Sequence, residues 1–334
     1  METPPWTPGR ILATAGAYWQ PCTLMAAVKL DVFTHLGKER LTAGEVATRI
    51  GSQPRSMATI LNALTAMGLL EKSGEHYKNT GAASSYLCKG ASEYMGHMVQ
   101  HHSDLIPSWS RLTAAVLSQR PVPNHQLLPA DTTREHFLMG MYNMASNLAP
   151  EVVSHVDLSG QRHLLDLGGG PGTWAIYFCR QYPKLAATVC DLPSTRPFAE
   201  KTIARFGLTE RIDFKDCDYL SQKIPGSYDA AWLSHILHAE PPEDCAAIIK
   251  KTVSALEPGG MLMVHDFILD NDMAGPLFPA LFSLNMLLRT ESGRSYCQRD
   301  IEEMLSAVGA DHLHRLHLET PNNSDVILGT VSEK

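Results

Sequence analysis

The run Leu164-Leu165-Asp166-Leu167-Gly168-Gly169-Gly170-Pro171-Gly172 sets a carboxylate two residues ahead of a glycine cluster. At the junction of a strand and a helix, such glycines bend the backbone sharply and let a ligand approach it closely. A dinucleotide turn follows G-x-G-x-x-G; counted from Gly168, its last glycine would fall on Thr173, which disfavours a pyrophosphate and a nicotinamide dehydrogenase. Asp166, at the strand end, would repel an anion and attract the ammonium or sulfonium of S-adenosylmethionine, with Gly168 and Gly170 forming the turn around it. About 20 residues beyond the loop, Asp191 ends a second strand, where a carboxylate accepts both ribose hydroxyls and Leu192 packs beside the adenosine. Asp218, after a third strand, is placed to accept a hydrogen bond from the adenine amino group, with Tyr219 against the ring. Each acid alone is as compatible with a helix cap or a solvated turn. Three at successive strand ends beside the glycines predict S-adenosylmethionine as cofactor.

The elements that must position these residues fall into two kinds. From residue 163 onward, short apolar runs at 163–167, 187–192, 212–217, 230–237 and 261–269 alternate with helical segments near 172–181, 194–206 and 242–256. This βαβ alternation predicts a doubly wound, mostly parallel sheet, an α/β fold of the Rossmann-like kind. Two further strands, 312–318 and 326–331, have no helix between them, so one of the pair is expected to run antiparallel. Residues 11–117 are instead mainly helical, with Met25, Val28, Val32 and Leu36 at spacings of three and four. Thr42 with Glu45 three residues on has capping-box spacing; a second helix over 53–70 and a hairpin through Ser73-Gly74 complete a winged helix. A DNA-reading helix needs exposed basic side chains, and Arg55 is the lone basic residue of that second helix, so dimerisation is the expected use of this half. Ile11, Leu12, Ala15, Tyr18 and Trp19 put apolar residues on more than one helix face, as in a segment covered from two sides. A Pro- and Gln-rich stretch at 119–129 precedes a bridging helix carrying Met139, Tyr142, Asn143 and Met144. The expected domains are 1–105, a winged-helix dimerisation domain, and 106–334, the cofactor-binding domain with its bridging helices.

With 334 residues, 44% of them hydrophobic, there is ample material for two cores. A net charge of −7 without blocks of like charge argues against nucleic acid as a partner. No apolar run approaches a membrane span and the start lacks a signal-peptide pattern, so no membrane association and a cytoplasmic location are expected. Seven scattered cysteines without a C-x-x-C pair predict reduced, mostly buried thiols and no metal.

The glycine run, Asp191-Leu192-Pro193, Cys217-Asp218-Tyr219 and His235-Ile236-Leu237-His238 together resemble the caffeate and acetylserotonin O-methyltransferase family over nearly the whole chain. That resemblance implies a winged-helix homodimerisation domain joined to a class I methyltransferase domain. It implies S-adenosylmethionine contacts at Gly168, Asp191, Asp218, Tyr219 and Ser234, and a general base at His238 taking the proton from a hydroxylated aromatic or polycyclic small molecule. Asp266 would orient that base, and Phe282, Asn285 and Met286 would line an acceptor pocket with Met139 and Asn143. The chain departs from the family pattern at Ala239-Glu240, where Asp-Trp is usual, and at Ser295, where a second acid brackets the base. Those departures leave open methylation at carbon on a large ring system, or a relative that binds the cofactor without transferring methyl. An S-adenosylmethionine-sensing DNA-binding regulator stands behind both.

Overall fold

In this computed structural model residues 5–122 and 130–332 are described, so the Pro- and Gln-rich stretch lies outside the described residues from 123 onward. The chain forms two compact units: residues 1–106 with 126–143, and residues 107–125 with 144–334. Residues 130–143, expected with the cofactor-binding domain, are grouped with the first unit. The reason is chemical: His136 is hydrogen-bonded to Asp104 at 3.0 Å, and Asn143 donates to the Tyr94 carbonyl at 2.7 Å.

The first unit opens with α1 (Pro8–Gly16), α2 (Trp19–Lys29) and α3 (Val32–Leu36), then β1 (Leu41–Thr42), α4 (Ala43–Ile50), α5 (Pro54–Ala66), β2 (Leu70–Ser73), β3 (His76–Asn79), α6 (Gly81–Tyr86) and α7 (Gly96–Trp109), which runs on past residue 106. The capping box forms as expected: the Thr42 amide donates to Glu45 at 2.7 Å while the Glu45 amide donates to Thr42 Oγ1 at 3.3 Å, satisfying two amides at the start of α4. Gly51, with φ of 78°, ends that helix, and Pro54 preorganises the first turn of α5. The hairpin β2–β3 pairs antiparallel with β1 alongside, giving the helix–turn–helix and wing around a core of Phe33, Leu36, Leu61 and Leu64, none of them exposed. In the single chain no residue of α1 is buried, and Ile11, Leu12, Tyr18 and Trp19 are 55–73% exposed.

The second unit begins with α8 (Leu112–Ser118) and takes in the C-terminal part of the long α9 (Ala130–His155). Its seven-stranded sheet comprises β4 (His163–Leu167), β5 (Ala186–Asp191), β6 (Ile212–Asp216), β7 (Tyr228–Ser234), β8 (Leu256–Asp266), β9 (Ala310–Leu316) and β10 (Asp325–Val331), in the order β6-β5-β4-β7-β8-β10-β9. The pairs from β6 to β8 are parallel, and β10 lies antiparallel between β8 and β9. The connections contain α10 (Thr173–Gln181), α11 (Arg196–Arg205), α12 (Pro242–Ala255), α13 (Leu277–Arg289) and α14 (Gln298–Ser306). Covered on both faces, the central strands are nearly continuous apolar runs. Trp232 and Phe178 fill one layer and Tyr228 and Leu165 the other, all without exposed surface. The sequence expectation for β7 ran to residue 237, but the strand stops at Ser234 because His235 takes a left-handed conformation, φ 58°, that no strand continues through. Among the described residues no helix is long and apolar enough to cross a membrane, and all seven cysteines are free.

Candidate active site

The parallel strands β4, β5 and β7 deliver their carboxyl ends, with Asp166, Asp191 and Ser234, to the crevice edge where ligands bind in doubly wound sheets. Gly168, Gly170 and Gly172 all have positive φ, 64°, 56° and 76°, so the turn depends on glycine. A Cβ on Gly168 would stand 2.6 Å from Ile236 Cγ2 and 3.4 Å from the Tyr219 ring, whereas one on Gly170 would meet nothing within 4 Å. The turn is thus closed on one side by Ile236 and Tyr219 and open on the other.

Asp166 lies beneath this turn, with no exposed surface. One carboxylate oxygen accepts from the Ala175 amide at 3.1 Å; the other is buried without a hydrogen-bond partner among the described residues. Burial therefore pushes its carboxyl up to about 7, against the pull of the Ala175 bond and with the help of the nearby Asp191 charge. Asp191 stands higher in the crevice. One of its oxygens accepts from the Gly170 amide at 2.8 Å and keeps a lone pair for a ribose hydroxyl; the other accepts from the Leu192 amide at 2.6 Å and from Thr195 Oγ1 at 3.3 Å, so a second ribose hydroxyl there would take the place of the long Thr195 contact. Leu192 beside it is 46% exposed. Asp218 uses its carboxylate locally, accepting from Ser221 Oγ at 2.7 Å and the Leu220 amide at 3.1 Å. These bonds, Ser221 foremost, hold its carboxyl below the ordinary value and shape the loop that presents Tyr219. Lys251 donates to the Tyr219 carbonyl at 2.9 Å and pins the same loop from α12.

Past Ser234, whose hydroxyl is hydrogen-bonded to His265 at 2.9 Å, a short 3₁₀ turn over Leu237–Ala239 carries His238. The His238 Nδ1 lies 2.7 Å from Asp266 Oδ1 at the end of β8. That oxygen also accepts from the Phe267 amide at 2.8 Å and lies 3.4 Å from His235 Nδ1. Burial works to raise the Asp266 carboxyl, but the two imidazoles outweigh it and hold the group far below the carboxylate range. The ligand atoms of His235, His238 and Asp266 lie within 4.8 Å of one another, as metal ligands can, but a 2.7 Å contact is a direct hydrogen bond. An aromatic wall adjoins the base: Phe282 meets His238 edge-on at 4.7 Å, Phe267 lies 4.4 Å from Phe282, and Phe278 is parallel to Phe282 within 13°.

The remaining expected site residues are placed as follows. Asn285 is buried and accepts from Trp109 Nε1 at 3.2 Å, and Met286 is buried on the same helix. Asn143 belongs to the first unit, where its amide accepts from the Met98 amide at 3.3 Å and serves the start of α7; Met139 lies one turn before it. Ser295 is fully buried, its hydroxyl donating to the Pro279 carbonyl at 2.9 Å. Sequence reasoning missed His235 and Phe267, for which the available signals were a second histidine three residues before His238 and the position following Asp266.

A glycine-rich turn over a buried acid at the end of β4, with a second acid at the end of β5, in a doubly wound sheet is the arrangement expected of a class I S-adenosylmethionine-dependent methyltransferase. Comparison with known proteins agrees. The family model described as the O-methyltransferase domain matches residues 124–311, and that of the O-methyltransferase dimerisation domain matches residues 12–89. The 3-hydroxy-5-methyl-1-naphthoate 3-O-methyltransferase of Streptomyces sahachiroi is 34% identical over 98% of this chain and 97% of its own. The tetracenomycin polyketide synthesis 8-O-methyl transferase of Streptomyces glaucescens is 32% identical over 90% of this chain and 91% of its own. Human N-acetylserotonin methyltransferase, solved in complex with SAM, superposes with a TM-score of 0.87 at 26% identity, covering 99% of this chain and 100% of that one. The chain therefore belongs to the O-methyltransferase family, and it is an enzyme that uses S-adenosylmethionine as its methyl donor.

Proposed function

We propose that this enzyme O-methylates a hydroxylated, flat aromatic or polycyclic small molecule, with His238 as general base and Asp266 as its orienting acid. The observation that carries the reading is the His238–Asp266 hydrogen bond of 2.7 Å set against the wall of Phe267, Phe278 and Phe282. Asp266 is ionised, so His238 turns its Nδ1–H toward it and leaves Nε2 as a proton acceptor. The wall offers ring faces and edges to a planar acceptor. The similarity to relatives named for a naphthoate and a polyketide supports that acceptor class.

The crevice fits the cofactor. Asp191 keeps a free lone pair on the oxygen bound by the Gly170 amide and only the 3.3 Å Thr195 contact to give up on the other, and the turn opens at Gly170 where a Cβ would meet nothing within 4 Å. In this reading Asp191 holds the ribose hydroxyls with Leu192 beside the base, Tyr219 with Asp218 borders the adenine, and Gly168, Gly170 and Ser234 line the path to the methyl-bearing end. Asp166 acts from below, carrying the turn on its buried carboxyl. S-adenosylmethionine supplies an electrophilic methyl group on a sulfonium. The residues of the chain hold the acceptor oxygen in line and remove its proton at His238 Nε2, alignment contributing up to ~7–11 kcal/mol and the base ~10²–10⁴-fold.

The exposed Ile11, Leu12, Tyr18 and Trp19 within the dimerisation-domain half support a homodimer formed through that half. Seven free cysteines support a reducing, cytoplasmic setting. The test is mass spectrometry of hydroxynaphthoates and polycyclic phenols incubated with methyl-labelled S-adenosylmethionine and either wild-type protein or His238→Ala. A labelled methyl ether formed by the wild type and reduced at least ~100-fold in the variant is expected; an undiminished rate in the variant overturns the role given to His238.

A further inference from the structure

We propose that His235 is a positioning residue for methyl transfer: it holds the Asp266 carboxylate oxygen that the base also contacts and so helps set the direction of the His238 ring. This rests on His238 being the base. Three donors converge on the one oxygen Asp266 Oδ1: His238 Nδ1 at 2.7 Å, the Phe267 amide at 2.8 Å and His235 Nδ1 at 3.4 Å. The Phe267 amide restrains the carboxylate from its own backbone, and among the described residues His235 adds the one side-chain contact to that oxygen besides the base itself. The position at which the family resemblance sets a second acid beside the base holds Ser295, whose hydroxyl is spent on the Pro279 carbonyl. The direction of the His238 imidazole therefore depends on Asp266, and that of Asp266 on His235.

The backbone bears the mark of this arrangement. His235 leaves β7 with φ of 58°, in the left-handed region that side-chain-bearing residues rarely adopt, while its amide still donates to the His265 carbonyl at 2.9 Å. That conformation packs the imidazole 4.3 Å from the Phe267 ring and 4.5 Å from the His265 ring, with the side chain 10% exposed. Burial keeps His235 neutral, against the opposing pull of Asp266. A neutral imidazole has one N–H, and His235 Nε2 is buried with no partner among the described residues, so the proton sits on Nδ1, facing the carboxylate. His235 is thus a fixed donor and takes no proton itself.

Two substitutions separate positioning from architecture. Asparagine tolerates the left-handed backbone and places an amide N–H close to the Nδ1 position, so His235→Asn retains kcat within ~3-fold. Glycine relieves the backbone but removes both the donor and a buried ring, so His235→Gly lowers the thermal midpoint yet stays folded, leaves the S-adenosylmethionine Kd within ~2-fold, and lowers kcat at least ~10-fold. The substrate-independent readout is the far-downfield proton resonance of the His238 Nδ1–H in ¹⁵N-histidine-labelled full-length protein, assigned by its loss in His238→Ala. It is expected to be unchanged in His235→Asn and shifted or broadened in His235→Gly. An unaltered resonance in a folded His235→Gly protein overturns the inference. Undiminished turnover in His238→Ala instead strikes the base assignment, so the two failures are told apart.

Discussion

Replacing Asp166 by asparagine isolates the charge buried beneath the glycine turn. The carboxyl has no exposed surface, one hydrogen bond and a folded-state value of about 7 against an ordinary 3.8. Between those two values the folded protein holds a proton that the unfolded chain releases. The group therefore contributes stability that is complete below about 3.8 and lost as pH rises through about 7. The shift of about 3 units (about 7 less 3.8), at ~1.4 kcal/mol per unit, amounts to ~4 kcal/mol over the whole window. Within the range convenient for folding measurements, from about pH 9 to about pH 6, the share is ~1.4 kcal/mol, because only the last unit below the folded value is sampled. Asparagine does not titrate, and all other groups cancel in the difference between the two proteins. The amide left unpaired by the substitution adds a constant cost of ~1–3 kcal/mol, so the pH dependence of the difference is the quantity to interpret. Urea unfolding of the cofactor-free proteins at about pH 6, 7.5 and 9 measures it. The stability difference is expected to move toward Asp166→Asn by ~1.4 kcal/mol as pH rises across that range. A difference that stays constant with pH would refute the buried-proton account and place Asp166 in a solvated or paired state.

Three further outcomes are expected. Gly168→Ala must accommodate a positive φ and a Cβ at 2.6 Å from Ile236, costing ~1–2 kcal/mol in stability by denaturation and at least ~10-fold in S-adenosylmethionine affinity by calorimetry. Leu12→Ser combined with Trp19→Ser removes two side chains that are 73% and 68% exposed in the single chain, and sedimentation should show the mass falling from dimer to monomer at micromolar concentration. Because the 2.7 Å contact in the His238–Asp266 pair is a hydrogen bond, exhaustive chelation should leave turnover within ~2-fold, and a large loss restored by one divalent metal would reassign the cluster as a metal centre.

What was legible in the sequence was periodic or local. The strands and helices around Asp166 and Asp191 come within a residue or two of expectation because each is a buried apolar run ended by a glycine turn or an acid. The capping box at Thr42 was equally visible, since both its partners lie within one helical turn. The end of β7 was not, because Ile236 and Leu237 extend the apolar pattern past the residue at which the backbone turns. The grouping of residues 130–143 with the first unit depends on His136 and Asn143 meeting partners about 30 and 50 positions earlier, a spacing with no period. The same holds at the site. Asp191 and Asp218 could be placed by their distance from strand ends, whereas the gathering of His235, His238 and Phe267 on one oxygen depends on the register of β7 against β8, Ser234 opposite His265.

The position of β10 bears on how the active site is made. Asp266 ends β8, and the outer edge of β8 is covered by β10, with Asp325 directly opposite Asp266. Since β10 follows β9 in the chain and inserts between β9 and β8, the edge that carries the orienting carboxylate stays unpaired through synthesis of β8, α13, α14 and β9. An apolar strand with an open edge is a template for pairing with other chains. Changes at Ile327, which is wholly buried opposite Val264 and two positions along the ladder from the Asp325–Asp266 pair, are thus expected to register first as lost soluble yield, with the protein that does fold keeping most of its activity.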